Sequence, residues 1–152
     1  MHIEDRIEKQ GITLPQMNEP KAMFVPAKRV GNLLFVSGQI PTSNDKLIYT
    51  GKLGRELSLE QGQEAARLCI INMLAAVKAC IGDLDAVKNV VKLQAFVNSE
   101  TGFDKQHILV NAASQLLYDV FGEMGRHART AIGTNQLPLD APVEIEAIFE
   151  VE

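Results

Sequence analysis

Apolar residues recur every three or four positions in two segments of the chain, which predicts two amphipathic helices. The first helix begins after Ser58, where Gln61 completes a capping box, and ends at Gly82. Its apolar stripe consists of Ala66, Cys69, Ile70, Met73, Ala76, Val77 and Cys80. The second helix covers roughly 103–121 and ends at Gly122. Its apolar face consists of Leu109, Ala112, Ala113, Leu116 and Val120. Each helix is therefore expected to lie on a sheet or against the other helix.

The remaining segments carry strand patterns. "AMFVPAKRVGNLLFVSGQIP" predicts a hairpin that turns at Gly31-Asn32, and "KLIYTGKLG" predicts a short edge strand. "NVVKLQAFVNS" alternates in polarity. Its apolar face is predicted to hold Val91, Leu93, Ala95 and Val97, and its polar face to hold Lys92, Gln94 and Asn98. The last two strands are predicted to form a hairpin that turns at "LPLDAP", because its two prolines exclude ladder pairing there.

This order of elements predicts an α+β fold with one mixed sheet and both helices on one face. Residues 1–20 are interpreted as an N-terminal arm, a short amphipathic turn and then an irregular stretch with Pro15 and Pro20 as breakers. Residues 21–152 are interpreted as a single domain. The uncovered face of the sheet would carry polar residues, which would be solvated in a monomer or line a crevice between sheets in an oligomer. These residues include Lys92, Gln94, Glu144 and Glu146.

Composition narrows the class of protein. The 152 residues include 46% hydrophobic residues and carry a formal net charge of −4, which argues against general binding to nucleic acid or anionic membranes. The chain opens without a basic and apolar leader, and no apolar run approaches the ~18 residues of a membrane span. We therefore expect a cytoplasmic protein that does not bind membranes.

The cysteines and histidines give little sign of a metal site or covalent catalysis. Cys69 and Cys80 would lie roughly 16 Å apart along one helix, too far to form a disulfide, and both are interpreted as buried apolar side chains. His2, His107 and His127 have no metal-ligand spacing, so no metal is expected. P-loop, Gly-x-Gly-x-x-Gly and Gly-x-Ser-x-Gly motifs are absent, so any chemistry is expected to be acid–base and electrostatic.

Three positions are candidates for such chemistry. Arg129 opens the penultimate strand, where a guanidinium could bind a small carboxylate or simply form a surface ion pair. Glu144 and Glu146 are predicted on one face, either as a solvated polar surface or with one carboxylate placed to orient or deprotonate a water. Ser37-Gly38 ends an apolar strand, where it could approach a ligand or serve as an ordinary turn.

Three stretches resemble the signature segments of the YjgF/RidA superfamily, the reactive-intermediate deaminases. They are "GNLLFVSGQIP", "VVKLQAFVNS" and "HARTAIGTNQLPLDAPVEIEAIFEV", and the resemblance runs from about Met23 to Val151. The first helix and the longer N-terminal arm resemble a branch described as endoribonuclease L-PSP-like. The resemblance implies a chorismate-mutase-like fold, in which three identical subunits pack their sheets into a central barrel with ligand clefts between neighbours. It also implies hydrolysis of 2-imino acids and their enamine tautomers to 2-keto acids and ammonia, without a cofactor.

The family's site residues can be carried over by position. Arg129 matches the arginine that binds the substrate carboxylate, and Glu144 matches the glutamate that holds the attacking water. Ser37 and Gly38 match the family's Ser-Gly pair, and Asn111 resembles a helix asparagine near the cleft.

Two positions depart from the family pattern. Phe24 stands where deaminating members commonly have Tyr, and Ala131 stands where many have Cys. Both are still expected to contact substrate, as is Thr130, with backbone dipoles near Ala131 stabilising a tetrahedral intermediate. The departures concern the rate and the identity of the substrate, and leave the anion-binding pocket in place.

Two other functions compete with imine hydrolysis. The missing hydroxyl at Phe24 and the missing thiol at Ala131 favour a non-catalytic trimer that binds small carboxylates. Endoribonuclease activity ranks last, because the chain is acidic, poor in aromatic residues and without a basic stripe.

Overall fold

The structure is a computed structural model that describes residues 1–17 and 22–152. The helices are α1 Ile3–Lys9, α2 Leu59–Ile81 and α3 Gln106–Phe121. The strands are β1 Ala27–Val30, β2 Leu33–Gln39, β3 Thr42–Ser43, β4 Lys46–Leu47, β5 Val87–Asn98, β6 Ala128–Thr134 and β7 Val143–Val151. Short 3₁₀ turns cover Leu84–Ala86, Gly122–Gly125 and Pro138–Asp140. This arrangement confirms the predicted α+β class.

Five strands form a mixed sheet in the order β1-β2-β7-β5-β6, with β1 and β6 at its edges. β5 and β6 are parallel, whereas the other neighbours are antiparallel. The predicted hairpin between the last two strands is therefore wrong, because β5 lies between β6 and β7. The long apolar alternation of β5 suits the centre of the sheet, and the segment over 137–142 crosses its end instead of making a tight turn.

The helices that cover the sheet begin and end close to their predicted limits. Ser58 accepts a hydrogen bond from the Gln61 amide and Gln61 completes the capping box, while Gly82 ends α2 at a φ of 85°. α3 begins at Gln106, three residues later than predicted. The prediction for Cys80 was wrong: its side chain is exposed, whereas Cys69 is buried.

A third helix was not predicted. α1 forms where the sequence indicated only an amphipathic turn, and it buries Ile3 and Ile7 in the common core. Arg6 donates from Nη1 to the carbonyl of Val120 at 3.3 Å, which joins α1 to the end of α3. Within the described parts of the chain, the sheet is thus accompanied by three α-helices and not two. Pro20 lies outside the described residues, and the division into an arm and a domain stays a prediction.

Two strand predictions failed for local reasons. Lys46–Leu47 pairs with Thr42–Ser43 in a separate two-stranded ribbon instead of extending the main sheet. In β5 the register shifts between Val90 and Lys92, so Val90 enters the core and Val91 is 39% exposed. An irregularity of one residue exchanges the faces of the strand up to that point.

Asn98, predicted on the polar face of β5, is fully buried at the strand end. Its side chain accepts a hydrogen bond from Lys52 Nζ at 2.8 Å and donates to the Gly51 carbonyl and to Asp140. The burial is tolerated because these partners satisfy the amide. The remaining predicted core residues of this strand, Leu93, Ala95 and Val97, are buried as expected.

Tight packing between α2 and α3 fixes the helix that carries part of the candidate site. A Cβ atom at Gly62 would lie 2.3 Å from Leu109 Cδ1, so any larger residue would force the Leu109 side chain to move from its place between the two helices. On α3 the core side includes Leu109, Ala113 and Leu116, all fully buried. Among the described residues no helix is long and apolar enough to span a membrane. The cytoplasmic location stays a prediction.

Candidate functional site

Arg129 lies on the edge strand β6 and is held by α3. It is the register partner of Leu93, whose side chain is fully buried on the helix-covered face of the sheet. Its Nη1 donates to Asn111 Oδ1 at 2.9 Å and to Ser114 Oγ at 3.1 Å, and its Nη2 donates to the His107 carbonyl at 3.3 Å. A guanidinium has five N–H groups, so these contacts leave two of them for a ligand.

The guanidinium lines a cavity of about 430 Å³ between α3 and the start of β6. Its lining residues are Asn111, Ser114, Gln115, Tyr118, Gly125, Arg126, His127 and Arg129. The volume suits a small metabolite. Among the residues that the structure describes, two arginines and no carboxylate line this cavity, so it favours an anion.

His127 and Ser114 line the same cavity, and neither was predicted from the sequence as a site residue. His127 Nδ1 lies 2.7 Å from the Gly125 carbonyl, and Nε2 lies 3.0 Å from Ser114 Oγ. A carbonyl can only accept, so Nδ1 carries the proton and Nε2 accepts from the Ser114 hydroxyl. Burial lowers the pKa of His127; the hydrogen bond to the Gly125 carbonyl opposes this shift, and the nearby positive charge of Arg129 adds to it, so the pKa stays below its usual value. The imidazole is therefore neutral near pH 7.

Glu144 lies on β7, on the face of the sheet that the helices leave open. It is half-buried, and its carboxylate rests above Gly38: a Cβ atom at that position would lie 2.2 Å from Glu144 Oε2. Burial raises the pKa of Glu144, and the negative charge of Glu146 raises it further. A carboxylate whose ionised form is disfavoured in this way can accept a proton near neutral pH more readily than an exposed one.

One chain does not bring Arg129 and Glu144 together. Arg129 is the register partner of Leu93, whereas Glu144 is the register partner of Phe96 on the same strand. Because Leu93 and Phe96 are an odd number of residues apart, their side chains, and those of their partners, point to opposite faces of the sheet. A site that uses both charged groups therefore needs them from two different chains.

The other predicted site residues divide between the two faces. Asn111 and the half-buried Ala131 lie with Arg129 on the helix side, and Thr130 faces the open side, in register with Gln94. Ser37 Oγ donates to the Val25 carbonyl at 2.7 Å, which ties the end of β2 to the segment that follows the 63% exposed Phe24. The roles of these residues stay predictions.

The cysteines take no part in this arrangement. Burial raises the pKa of Cys69 well above its usual range, and the negative charge of Glu144 adds to the effect. Across residues 1–17 and 22–152, no group of three or more His, Cys, Asp or Glu side chains could hold a metal ion.

Replacing Glu144 by Gln is expected to stabilise the fold near neutral pH. The raised pKa means that the ionised carboxylate of Glu144 destabilises the folded state. This loss of stability is absent at pH values below the usual pKa of 4.5, and it grows as the pH rises through the pKa of the folded state. The amide removes this penalty and keeps the shape. Urea unfolding should therefore give a higher midpoint for the variant at about pH 7 and nearly equal midpoints at about pH 4.

Glu150→Gln, on the same strand and face, is the matched control for that measurement. A gain of equal size at both pH values would show that the amide acts by packing and not by charge.

Comparison with known proteins identifies the family and agrees with the overall fold. A family model described as "YjgF/chorismate mutase-like, putative endoribonuclease" matches residues 4–150. Protein TCP17 of Trypanosoma cruzi is 44% identical over 146 residues, covering 95% of this chain and 91% of that protein. The crystal structure of the protein Atu1372 of Agrobacterium tumefaciens is 46% identical with a TM-score of 0.92, covering 99% of this chain and 92% of that one.

A 2-iminobutanoate/2-iminopropanoate deaminase of Dermatophagoides farinae is 27% identical over 144 residues, covering 95% of this chain and 98% of that protein. The mixed sheet with its three helices is thus the YjgF/chorismate-mutase-like fold. Since the family model spans nearly the whole sequence, the chain belongs to the YjgF/chorismate mutase-like family.

Proposed function

We propose that this protein hydrolyses 2-imino acids, and their enamine tautomers, to 2-keto acids and ammonia. The observation that carries the proposal is the guanidinium of Arg129, which α3 holds by three hydrogen bonds while two N–H groups stay available. Two N–H groups on one planar group are what a substrate carboxylate binds best. The similarity to a protein named as such a deaminase supports the same reaction.

Arg129 would anchor the carboxylate and withdraw electron density from the neighbouring C=N bond. Glu144 of a second chain would orient a water for attack on the imine carbon, and backbone dipoles near Ala131 would stabilise the tetrahedral intermediate. Free imines already hydrolyse in water, so orientation and one charge-assisted clamp worth a few kcal/mol would suffice.

A homotrimer with a central barrel is the assembly that we propose for this site. The open face of the sheet carries large apolar side chains, among them Phe35 at 42% and Ile132 at 43% exposure. Large apolar side chains exposed on a sheet face are typical of a protein–protein interface. Because Arg129 lies on the edge strand β6, closing three such sheets into a barrel would bring the Arg129 edge of one chain next to the Glu144 face of its neighbour.

The test is to generate 2-iminobutyrate in situ with a pyridoxal-phosphate-dependent threonine dehydratase and to follow its disappearance. Added protein is expected to accelerate the loss well above the buffer rate. If 2-ketobutyrate binds but the loss of imine stays at the buffer rate, the protein is a carboxylate-binding trimer and not a deaminase. Phe24, which lacks a phenolic hydroxyl, is the residue that favours that second function.

RNA cleavage is measured on the same preparations, because the family description includes the word endoribonuclease. We expect no RNA cleavage. Cleavage that persists through further purification and is lost in Arg129→Ala would assign the site to RNA.

A further inference from the structure

Ser114, His127 and the Gly125 carbonyl form a chain of hydrogen bonds that imine hydrolysis does not require. The Ser114 hydroxyl donates to His127 Nε2 at 3.0 Å, and His127 Nδ1 donates to the Gly125 carbonyl at 2.7 Å. A hydroxyl bonded to a base, with the base oriented by a third group, is the arrangement of an activated nucleophile. All three groups belong to one chain and line the cavity of about 430 Å³.

We propose that Ser114 is the nucleophile of an acyl-transfer site, with His127 as its general base, that hydrolyses small carboxylic esters. This activity is separate from imine hydrolysis and does not depend on a second subunit.

The protonation state of the imidazole suits this role. Since Nδ1 donates to a carbonyl, the lone pair of Nε2 is directed at the serine hydroxyl. His127 is neutral near pH 7, because burial and the charge of Arg129 lower its pKa. The base is therefore in the form that can accept the serine proton.

Arg129 supplies the positive charge that would stabilise the oxyanion. Its Nη1 lies 3.1 Å from Ser114 Oγ, so a carbonyl carbon bonded to Oγ would carry its oxyanion next to the guanidinium. Asn111 Oδ1 and the His107 carbonyl hold that guanidinium from the other side, so it is positioned before the ester arrives. Donors that are already in position stabilise the tetrahedral intermediate more strongly than donors that must reorient during the reaction.

The proposed reaction balances without a cofactor. Oγ forms a bond to the ester carbonyl carbon while its proton passes to His127 Nε2. The tetrahedral intermediate collapses, the bond to the leaving oxygen breaks, and that oxygen takes the proton from Nε2. Water then attacks the acyl-serine with the same base, releasing the carboxylic acid and restoring the hydroxyl.

The experiment uses p-nitrophenyl acetate with the full-length protein. A burst of p-nitrophenol should precede steady turnover, and intact-mass spectrometry with peptide mapping should find one acetyl group on Ser114. Ser114→Ala should abolish the burst, and His127→Gln should slow it by at least about 100-fold. The burst rate of the wild type should rise as the pH passes upward through the folded pKa of His127, below 6.5, and His127→Gln should lose this dependence.

Ser43→Ala, in the exposed β3–β4 ribbon, is the control and should keep the full burst. Acetylation at residues other than Ser114, or a burst that survives Ser114→Ala, would overturn the proposal. If circular dichroism shows that Ser114→Ala does not fold, Ser114→Cys takes its place and should be acetylated at position 114. A Ser114→Cys protein that does not react would also overturn the proposal. Imine hydrolysis is assayed separately. The absence of a burst would therefore leave the deaminase proposal intact, and the absence of imine hydrolysis would leave the acyl-transfer proposal intact.

Discussion

Arg129→Lys is expected to lower kcat/KM for 2-iminobutyrate by at least about 100-fold, which corresponds to about 2.7 kcal/mol of transition-state stabilisation. A lysine ammonium cannot reach Asn111, Ser114 and the His107 carbonyl together and still present two parallel donors to a carboxylate. The charge is kept, so the loss would come from the geometry of the fork. Steady-state kinetics and the thermal unfolding midpoint, measured on the same sample, separate this effect from misfolding.

Arg55→Lys is the matched control, because Arg55 is an exposed arginine that pairs with Glu56 and Glu100 away from the cavity. It should leave kcat/KM unchanged. Equal activity of Arg129→Lys and the wild type would remove the guanidinium from the mechanism and leave the proposed function without its main support.

In the proposed homotrimer, two inactive variants should restore activity when they assemble together. Arg129→Ala keeps Glu144, and Glu144→Gln keeps Arg129, so a cleft built from one chain of each contains both groups. The requirement comes from the register of β5, which places the two side chains on opposite faces of one sheet. In a cyclic trimer that contains both variants, one cleft of its three is intact, so about a third of the wild-type activity should return.

Co-expression with two different affinity tags, followed by purification on both, isolates the mixed trimers for this measurement. The separately purified variants should be almost inactive, and mixing them after folding should change little until subunits exchange. Activity that stays at the level of the single variants in the mixed trimers would mean that both groups act from one chain, which the β5 register does not allow without rearrangement. A monomer in light scattering would overturn the trimer directly.

The sequence predicted those parts of the fold whose signals are local. The limits of α2 follow from the cap at Ser58 and from Gly82, each of which acts within one turn of the helix. The alternation of Leu93, Ala95 and Val97 also identified one buried strand face correctly. Non-local choices were harder, since a pattern of period two does not say which strand lies beside which. The last two strands were therefore paired with each other instead of with β5.

Within the site, the sequence indicated the charged residues but not their partners. Arg129 and Glu144 could be carried over from the family pattern at single positions, although only the register shows that one chain separates them. Ser114 lies on α3 and His127 lies just before β6, so their contact depends on how these two distant parts of the chain pack together. The one available signal was the two-residue spacing of His127 and Arg129, which places both on one face of a strand.

α3 has two roles. One side packs in the core, and Asn111 and Ser114 on the other side accept hydrogen bonds from the Arg129 guanidinium. Because the two sides belong to one helix, the affinity of Arg129 for an anion and the packing of α3 on the core must affect each other by the same free energy. Trimming a methylene beneath α3, far from any substrate atom, would loosen ligand binding, and a saturating carboxylate would in turn raise the melting temperature. A screen of small acids by thermal shift would exploit this linkage to find the natural ligand.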